Sequence, residues 1–301
     1  MNHLTYCRLI LAGLLMTPFL AAAQTTHPDS LWKKKLNFAF NLNQASFSSN
    51  WMGGGVSSIG LNTIFNYQAN YKEGRRSWDN DIDLGFGLVN TSGQGYRKTL
   101  DRLYLDTKYG YELSTNWGVF TSLNFLTQFT KGYNYLDDGT SQLISDALAP
   151  AFITSAWGFE YHPVDYFKVR IAPIAPRITI VSDPQRFVAA MGPEPYGVTP
   201  PETTRYEWLA FQLLAEFDKG LATNVNLKWR YNMFANYETI AAKTIDHRLD
   251  LDLLVKVGRF VNVSFGGILL YDYDQDAGLQ LSQVFSLGFL YSFQNYEEPK
   301  E

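Results

Sequence analysis

The chain has one cysteine in 301 residues, Cys7. It stands ahead of the first apolar run, so whatever follows that run has no disulfide framework and no thiol chemistry. A lipoprotein signal needs its cysteine after the run, which argues against lipid attachment. Long hydrophobic runs are also missing. Past residue 24 none approaches the roughly eighteen apolar residues of a membrane helix, and mean hydropathy is -0.17. Charge is scarce: charged residues make up 18% of the chain, and the net charge of -4 argues against nucleic-acid binding by bulk electrostatics. Neither a Gly-rich phosphate loop, a metal-ligand spacing nor a nucleophile elbow in a suitable context is present, so no cofactor is expected.

Aromatic side chains are plentiful, with 19 Tyr and 21 Phe. So are stretches that alternate apolar with polar residues. Residues 1–23 read as an export signal: His3 and Arg8, an apolar core from Leu9 to Leu20, then Ala21-Ala22-Ala23 before Gln24. From there to residue 301 a single domain is expected, with its strands between about 35 and 293. Leu36, Phe38, Phe40 and Leu42 alternate with Asn37, Ala39, Asn41 and Asn43. Ile82, Leu84, Phe86 and Leu88 alternate with Asp81, Asp83, Gly85 and Gly87. The pattern recurs in about twelve stretches of ten to fourteen residues. Strands of soluble proteins run about five or six residues, whereas a tilted strand crossing a bilayer needs about nine to eleven. Short connections also alternate with long ones. The expectation is an all-β, up-and-down antiparallel transmembrane barrel of about twelve strands in the outer membrane. An even strand number places both termini on the periplasmic side. Trp32, Trp51, Trp78, Trp117, Tyr161, Tyr166, Tyr271 and Phe293 are candidates for the interfacial girdles. Pro173 and Pro176 predict a bulge or strand end after Ile171.

Several motifs are more specific: Asn50-Trp51-Met52-Gly53-Gly54-Gly55, Arg97-Lys98-Thr99-Leu100-Asp101-Arg102, Tyr109-Gly110-Tyr111, Gln128-Phe129, Gly132-Tyr133 and Tyr271-Asp272-Tyr273-Asp274. In these the chain resembles a family of Bacteroidota envelope proteins known only as a domain of unknown function, the 3078 series. The resemblance extends over most of the chain past the signal. It implies an outer-membrane barrel and a host lineage, and it implies no substrate.

The polar face carries many charges. If directly opposed residues of a hairpin share one number sum, Lys72 would face Asp79, Asp81 would face Lys108, Glu160 would face Lys168, Lys228 would face Asp252 and Arg230 would face Asp250. Cross-strand pairs of this kind contribute roughly 0.2–1 kcal/mol each. They would neutralise the lumen. Alternatively, acids on the third predicted strand face bases on the seventh and ninth across the pore, giving a field that selects solutes by charge. Asp83, Arg170, Glu216, Arg248, Lys256 and Asp272 have no such neighbour and are candidates for contact with a solute or an infolded loop.

The two longest loops, 131–150 and 181–205, carry apolar side chains that predict packing on each other or into the mouth. Asp137-Asp138 falls short of a calcium site, which takes six to eight oxygens. His247 would face lipid at the outer end of its strand. No serine stands where a barrel lipid hydrolase would need it, so an enzyme is not expected. A pore or transporter for small solutes or lipophilic molecules is the leading expectation. The alternative is a non-conducting barrel that shows its long loops to envelope partners. Outer-membrane lipid is the one partner both require.

Overall fold

The computed structural model describes residues 31–46, 48, 56–136, 138–258 and 261–296. The expected signal at 1–23, the motif at 50–55 with Trp51, Asp137 and Phe260 lie outside the described residues. The strands are β1 (Trp32–Ala45), β2 (Ser58–Glu73), β3 (Arg76–Thr91), β4 (Gly95–Glu112), β5 (Trp117–Thr127), β6 (Gly132–Tyr135), β7 (Ser141–Ser145), β8 (Ala151–Val164), β9 (Phe167–Ile174), β10 (Arg177–Ile180), β11 (Thr204–Glu207), β12 (Ala210–Ala222), β13 (Val225–Asn236), β14 (Ile245–Lys256), β15 (Val261–Asp272) and β16 (Asp276–Gln294). Twelve of them form an antiparallel ring in the order β1-β2-β3-β4-β5-β8-β9-β12-β13-β14-β15-β16, and β16 pairs back onto β1. The ring strands run from eight residues in β9 to nineteen in β16. The seam between β1 and β16 runs from Lys35–Gln294 to Asn41–Gly288. Among the described residues, the part of β16 before Gly288 pairs with β15 alone.

Period two sets the two faces of this sheet. Phe40, Leu42, Leu123, Trp157, Phe159, Leu281 and Phe285 stand exposed on the outside, while Asn41, Asp83, Lys108, Arg170, Glu216 and Arg230 are buried inside. Greasy outside and charged inside is the reverse of a water-soluble domain. An exposed apolar band of this extent needs a lipid cover.

Aromatic pairs ring the end with the short turns. Trp32 meets Tyr71 and Trp78 at 5.2 and 5.9 Å, Trp117 meets Tyr161 at 4.9 Å, and Phe217 stacks on Trp229 at 5.8 Å. At the other end Tyr206 stacks on Trp208 at 5.5 Å.

Proline breaks the seventh stave where expected. β9 ends at Ile174, and β10 resumes at Arg177 against the same partner, β8. Main-chain bonds from Ala175 to Ala210 and from Ser155 to Pro176 bridge the gap. Two connections whose sequence reads as longer loops, near Asn90–Thr99 and Asp274–Gly278, are tight instead: β3 runs to Thr91 and β4 starts at Gly95, and β15 ends at Asp272 with β16 starting at Asp276. In the first, Gly93 and Gly95 take φ of 81° and 71°, which lets the chain reverse within three residues.

One glycine is required for a close approach. Gly158 sits where the register of β8 on β9 shifts, between Trp157 and Phe159. A Cβ there would overlap the Ile171 carbonyl oxygen and lie 2.7 Å from Ala172 Cα. Gly158→Ala is expected to cost about 1–3 kcal/mol by overpacking, read as a lower urea midpoint for the refolded barrel in vesicles. An unchanged midpoint would mean that β9 does not approach β8 there.

Candidate functional site in the lumen

The inward side chains form one charged network along β3, β4, β8, β9, β12 and β13. Lys108, 2% exposed, holds Asp79 at 2.8 Å and Glu160 at 2.6 Å. Arg170 holds Asp106 at 2.8 Å, Glu160 at 3.2 Å and Glu216 at 3.5 Å. Lys168 also reaches Glu216, at 3.2 Å. Arg230 lies over the Tyr104 ring at 4.1 Å and binds Glu216 at 3.0 Å and Asp83 at 3.2 Å. Asn66 Nδ2 donates to Asp83 at 2.5 Å, and Lys228 stands 3.9 Å from the same carboxylate.

Two pairs of opposite strands are joined across the lumen. β3 and β13 lie half-way round the ring from one another, and Asp83–Arg230 joins them. β4 and β14 are likewise opposite, and Arg102 binds Asp250 at 3.0 Å. Arg248 then forks onto Asp250, with Nε and an amino nitrogen both at 2.8 Å.

The expected pairs fare differently. Lys228 does stand opposite Asp252, and Arg230 opposite Asp250, in the β13–β14 register. Both cations reach across the lumen to Asp83 instead, and Arg230 also binds Glu216, its opposite number on the neighbouring strand β12. The other three expected pairs are each displaced. Lys72 faces Ser77 and binds Glu112 at 2.6 Å, because the chain turns within Gly74–Arg75 with Gly74 at φ 56°. Asp79, not Asp81, faces Lys108, while Asp81 faces Asp106, because the chain reverses early, between Thr91 and Gly95, and the bulge after Gly87 makes up only one residue of the difference. Glu160 faces Arg170 rather than Lys168, because the chain turns later than expected, between Val164 and Phe167.

Of the candidates without a neighbour, Asp83, Arg170 and Glu216 are the centre of the network. Arg248 binds Asp250. Asp272 accepts the Asp274 N–H at 3.0 Å and the Gln275 amide at 2.6 Å, so it holds its own turn. Lys256 is exposed at the short-turn end. Sequence reasoning missed Arg102, Asp106 and Tyr104 as members. Their even numbers on β4 placed them inward, but nothing local gives their partners. His247 sits among outer-face rings, its Nδ1 2.7 Å from the Tyr231 hydroxyl.

The ring half formed by β14, β15, β16, β1 and β2 is different in kind. Ile64, Leu254, Ile268, Val284 and Leu290 point inward there and line a cavity of about 130 Å³ towards the short-turn end. A second cavity of about 310 Å³ lies towards the long loops, lined by Leu100, Leu126, Phe152, Ile268 and Leu270 with Arg102 and Arg248. Leu100, Arg102, Ile268 and Ser282 border both cavities. Arg102 therefore stands where the two meet.

The long loops close over this end. Between β10 and β11, Phe187 precedes a single helical turn, α1 (Val188–Met191). Phe187, Tyr196 and Val198 bury themselves with Ala149 and Val181, and Leu143 of β7 and Met191 pack against them. Tyr196 donates to the Ile144 carbonyl at 2.5 Å, and burial, then Asp272, pushes its phenol well above the ordinary range. Arg205 reaches Asp274 on the β15–β16 turn. The Arg97–Arg102 motif latches the β6–β7 hairpin: Lys98 binds Asp101, Gln128, the Thr130 carbonyl and Ser145, and Asp101 accepts the Phe129 and Thr130 N–H groups. Arg186 binds Asp146 at 2.8 Å. Desolvation opposes ionisation of Asp146, but hydrogen bonds from Arg186 and the Ala147 N–H outweigh it and hold the carboxyl below its usual range. A depressed carboxyl stabilises the cap above its unfolded pKa of about 3.9 and loses that contribution as pH falls through the lower folded value. Protease nicking of loop 181–205 should therefore be flat from neutral pH to about pH 5 and rise below about pH 4. A rise that begins near neutral pH would assign the cap to another group.

Residues 42–133 match the family described as "Protein of unknown function (DUF3078)". The match runs from β1 into β6 and takes in the Lys98–Asp101 latch; Tyr271-Asp272-Tyr273-Asp274 lies beyond it. No curated protein matches the chain. Among solved structures it is similar to the COG4313 outer membrane channel from Pseudomonas putida F1, at 10% identity over 87% of this chain and 95% of that one, TM-score 0.39. It is also similar to the translocator domain of the autotransporter NalP from Neisseria meningitidis, at 11% identity over 96% of each chain, TM-score 0.34. The NanC porin follows at 8% identity, 85% of this chain and 98% of that one, TM-score 0.36.

Proposed function

We propose that this protein is an outer-membrane transport barrel for small solutes with an apolar body, exported by the signal at 1–23 and shut at rest. The observation that carries this reading is the division of the lumen. Interlocked charges occupy one side of the wall; on the other Ile64, Leu254, Ile268, Val284 and Leu290 stand among amides and serines around the lower cavity, and the upper cavity spans from Leu100, Leu126 and Phe152 to Ile268 and Leu270, with Arg102 bordering both. A barrel serving only as a rigid peg would gain from filling that half with packed side chains. An open porin would have no need of ion pairs from β3 to β13 and from β4 to β14. A shut, half-apolar lumen suits a solute that enters by displacing a contact. The long loops face outside and the termini the periplasm in this reading, and the resemblance to Bacteroidota envelope proteins fits it.

The test is passage of a neutral aromatic such as benzyl alcohol, and of potassium chloride, through the refolded full chain in planar bilayers and vesicles. Little salt conductance with accelerated aromatic flux is expected. Equal flux with and without the protein would remove the transport reading and favour the peg. That alternative also makes its own demand, a protein partner retained through detergent extraction by the loops at 131–150 and 181–205.

A further inference from the structure

Resting on the transport reading, we propose that the cavity near the long loops is a binding site for a small carboxylate with an apolar body, and that its head group takes Arg102 from Asp250. Asp250 has two cationic partners, and they are not equivalent. Arg248 holds both carboxylate oxygens, each at 2.8 Å. Arg102 contributes one bond at 3.0 Å, and its Nε is buried with no partner. If Arg102 swings away, Asp250 stays neutralised by the Arg248 fork, so the exchange leaves no bare buried charge behind. The arriving carboxylate meets a guanidinium with N–H groups to spare, and a planar fork is the geometry that fits it.

The rest of the cavity matches such a guest. Its other acid, Asp101, is already saturated by Lys98, Thr130 and the Phe129 N–H. At the floor Arg102 and Arg248 stand against Asp250, and the next acid, Asp252, lines the lower cavity and not this one. Leu100, Leu126, Phe152, Ile268 and Leu270 supply apolar walls. A volume of about 310 Å³ is at the lower end of the range for small-molecule sites, about 300–1,000 Å³. Because Arg102 also borders the lower cavity, moving it would join the two spaces. Binding the head group and unlocking the passage are then one motion.

The test uses the full chain refolded in detergent, with three probes of one shape: 4-phenylbutyrate, 4-phenylbutan-1-ol and 4-phenylbutylamine. Titration calorimetry separates saturable binding from partition into micelles. Saturable binding of the carboxylate is expected, with the alcohol at least several-fold weaker and the amine weakest. Arg102→Gln should lose most of the affinity and Arg102→Lys should recover part of it. Asp250→Asn frees Arg102 and should bind the carboxylate more tightly than the natural chain. Equal affinity for carboxylate and alcohol, or no saturable binding of either, overturns the site; so does unchanged affinity in Arg102→Gln. The comparison of probes on the natural chain decides the matter even if a variant fails to refold. Vesicle flux separates the two proposals. Carboxylate binding without passage keeps the site and removes transport, whereas passage without preference for the carboxylate removes the site and keeps transport.

Discussion

Arg170→Met is expected to lower the unfolding free energy of the barrel in lipid vesicles by about 3–5 kcal/mol, the cost of breaking a buried ion pair from one side. The guanidinium is 3% exposed and touches Asp106, Glu160 and Glu216. Glu160 keeps Lys108, and Glu216 keeps Lys168 and Arg230. Asp106 has no other cation within ion-pair distance among the described residues, so its uncompensated charge carries most of the loss. Adding Asp106→Leu to Arg170→Met should therefore recover a substantial part of it, and a double-mutant cycle should return a coupling of about 0.5–3 kcal/mol. A loss for Arg170→Met below about 1 kcal/mol, the range of exposed pairs, would mean that water reaches the network and that the lumen is wet. A buried network is weak evidence for net stability, because desolvation offsets much of the attraction. What the interlock does supply is a penalty for every single-site loss.

Arg102→Ser is expected to raise the salt conductance of single barrels several-fold over the natural chain. This substitution removes one of the two bars that cross the lumen, at the residue bordering both cavities. It should leave the fold intact, since Asp250 retains the Arg248 fork. Losing one cation from the passage should also shift the reversal potential in a salt gradient towards cation preference. If Arg102→Ser is as silent as the natural chain, the block lies elsewhere. The loop cap built on Phe187, Tyr196 and Val198 would be the next candidate. Deletion of α1 with its flanking turn would then be the variant that conducts.

Both expectations depend on contacts invisible to local reasoning. The faces were legible: parity alone put Asp83, Arg170, Glu216 and Arg230 inside and Phe40, Trp157 and Phe285 outside. So was the break at Pro173–Pro176, because proline cannot donate to a ladder. Pairing arithmetic worked between β13 and β14, where no bulge intervenes, and gave Lys228 opposite Asp252. It failed by two residues at Lys72, Asp81 and Glu160. The cause is where the chain turns: earlier than expected at Gly74–Arg75 and at residues 92–94, later at residues 165–166, while the shifts after Gly87 and near Tyr161 each recover one residue. A bulge changes the sum for every pair beyond it while leaving the alternation readable on either side. The apolar content of loops 131–150 and 181–205 did point to mutual packing, and Leu143 and Ala149 in one cluster with Phe187, Tyr196 and Val198 are that contact.

The one-dimensional pattern determined a closed sheet with lipid outside and polar groups inside, because a pleated strand turns alternate side chains to opposite faces whatever its neighbours are. The tertiary structure alone decided which charges meet. Asp83 and Arg230 are 147 residues apart in the chain, and Arg102 and Asp250 are 148 apart. Their contact depends on ring size, on where the bulges fall, and on side chains long enough to span a narrow lumen, none of which is a property of any one strand. That is also why the half-charged, half-apolar passage, and with it the reading of what could enter, came from closing the ring rather than from reading along it.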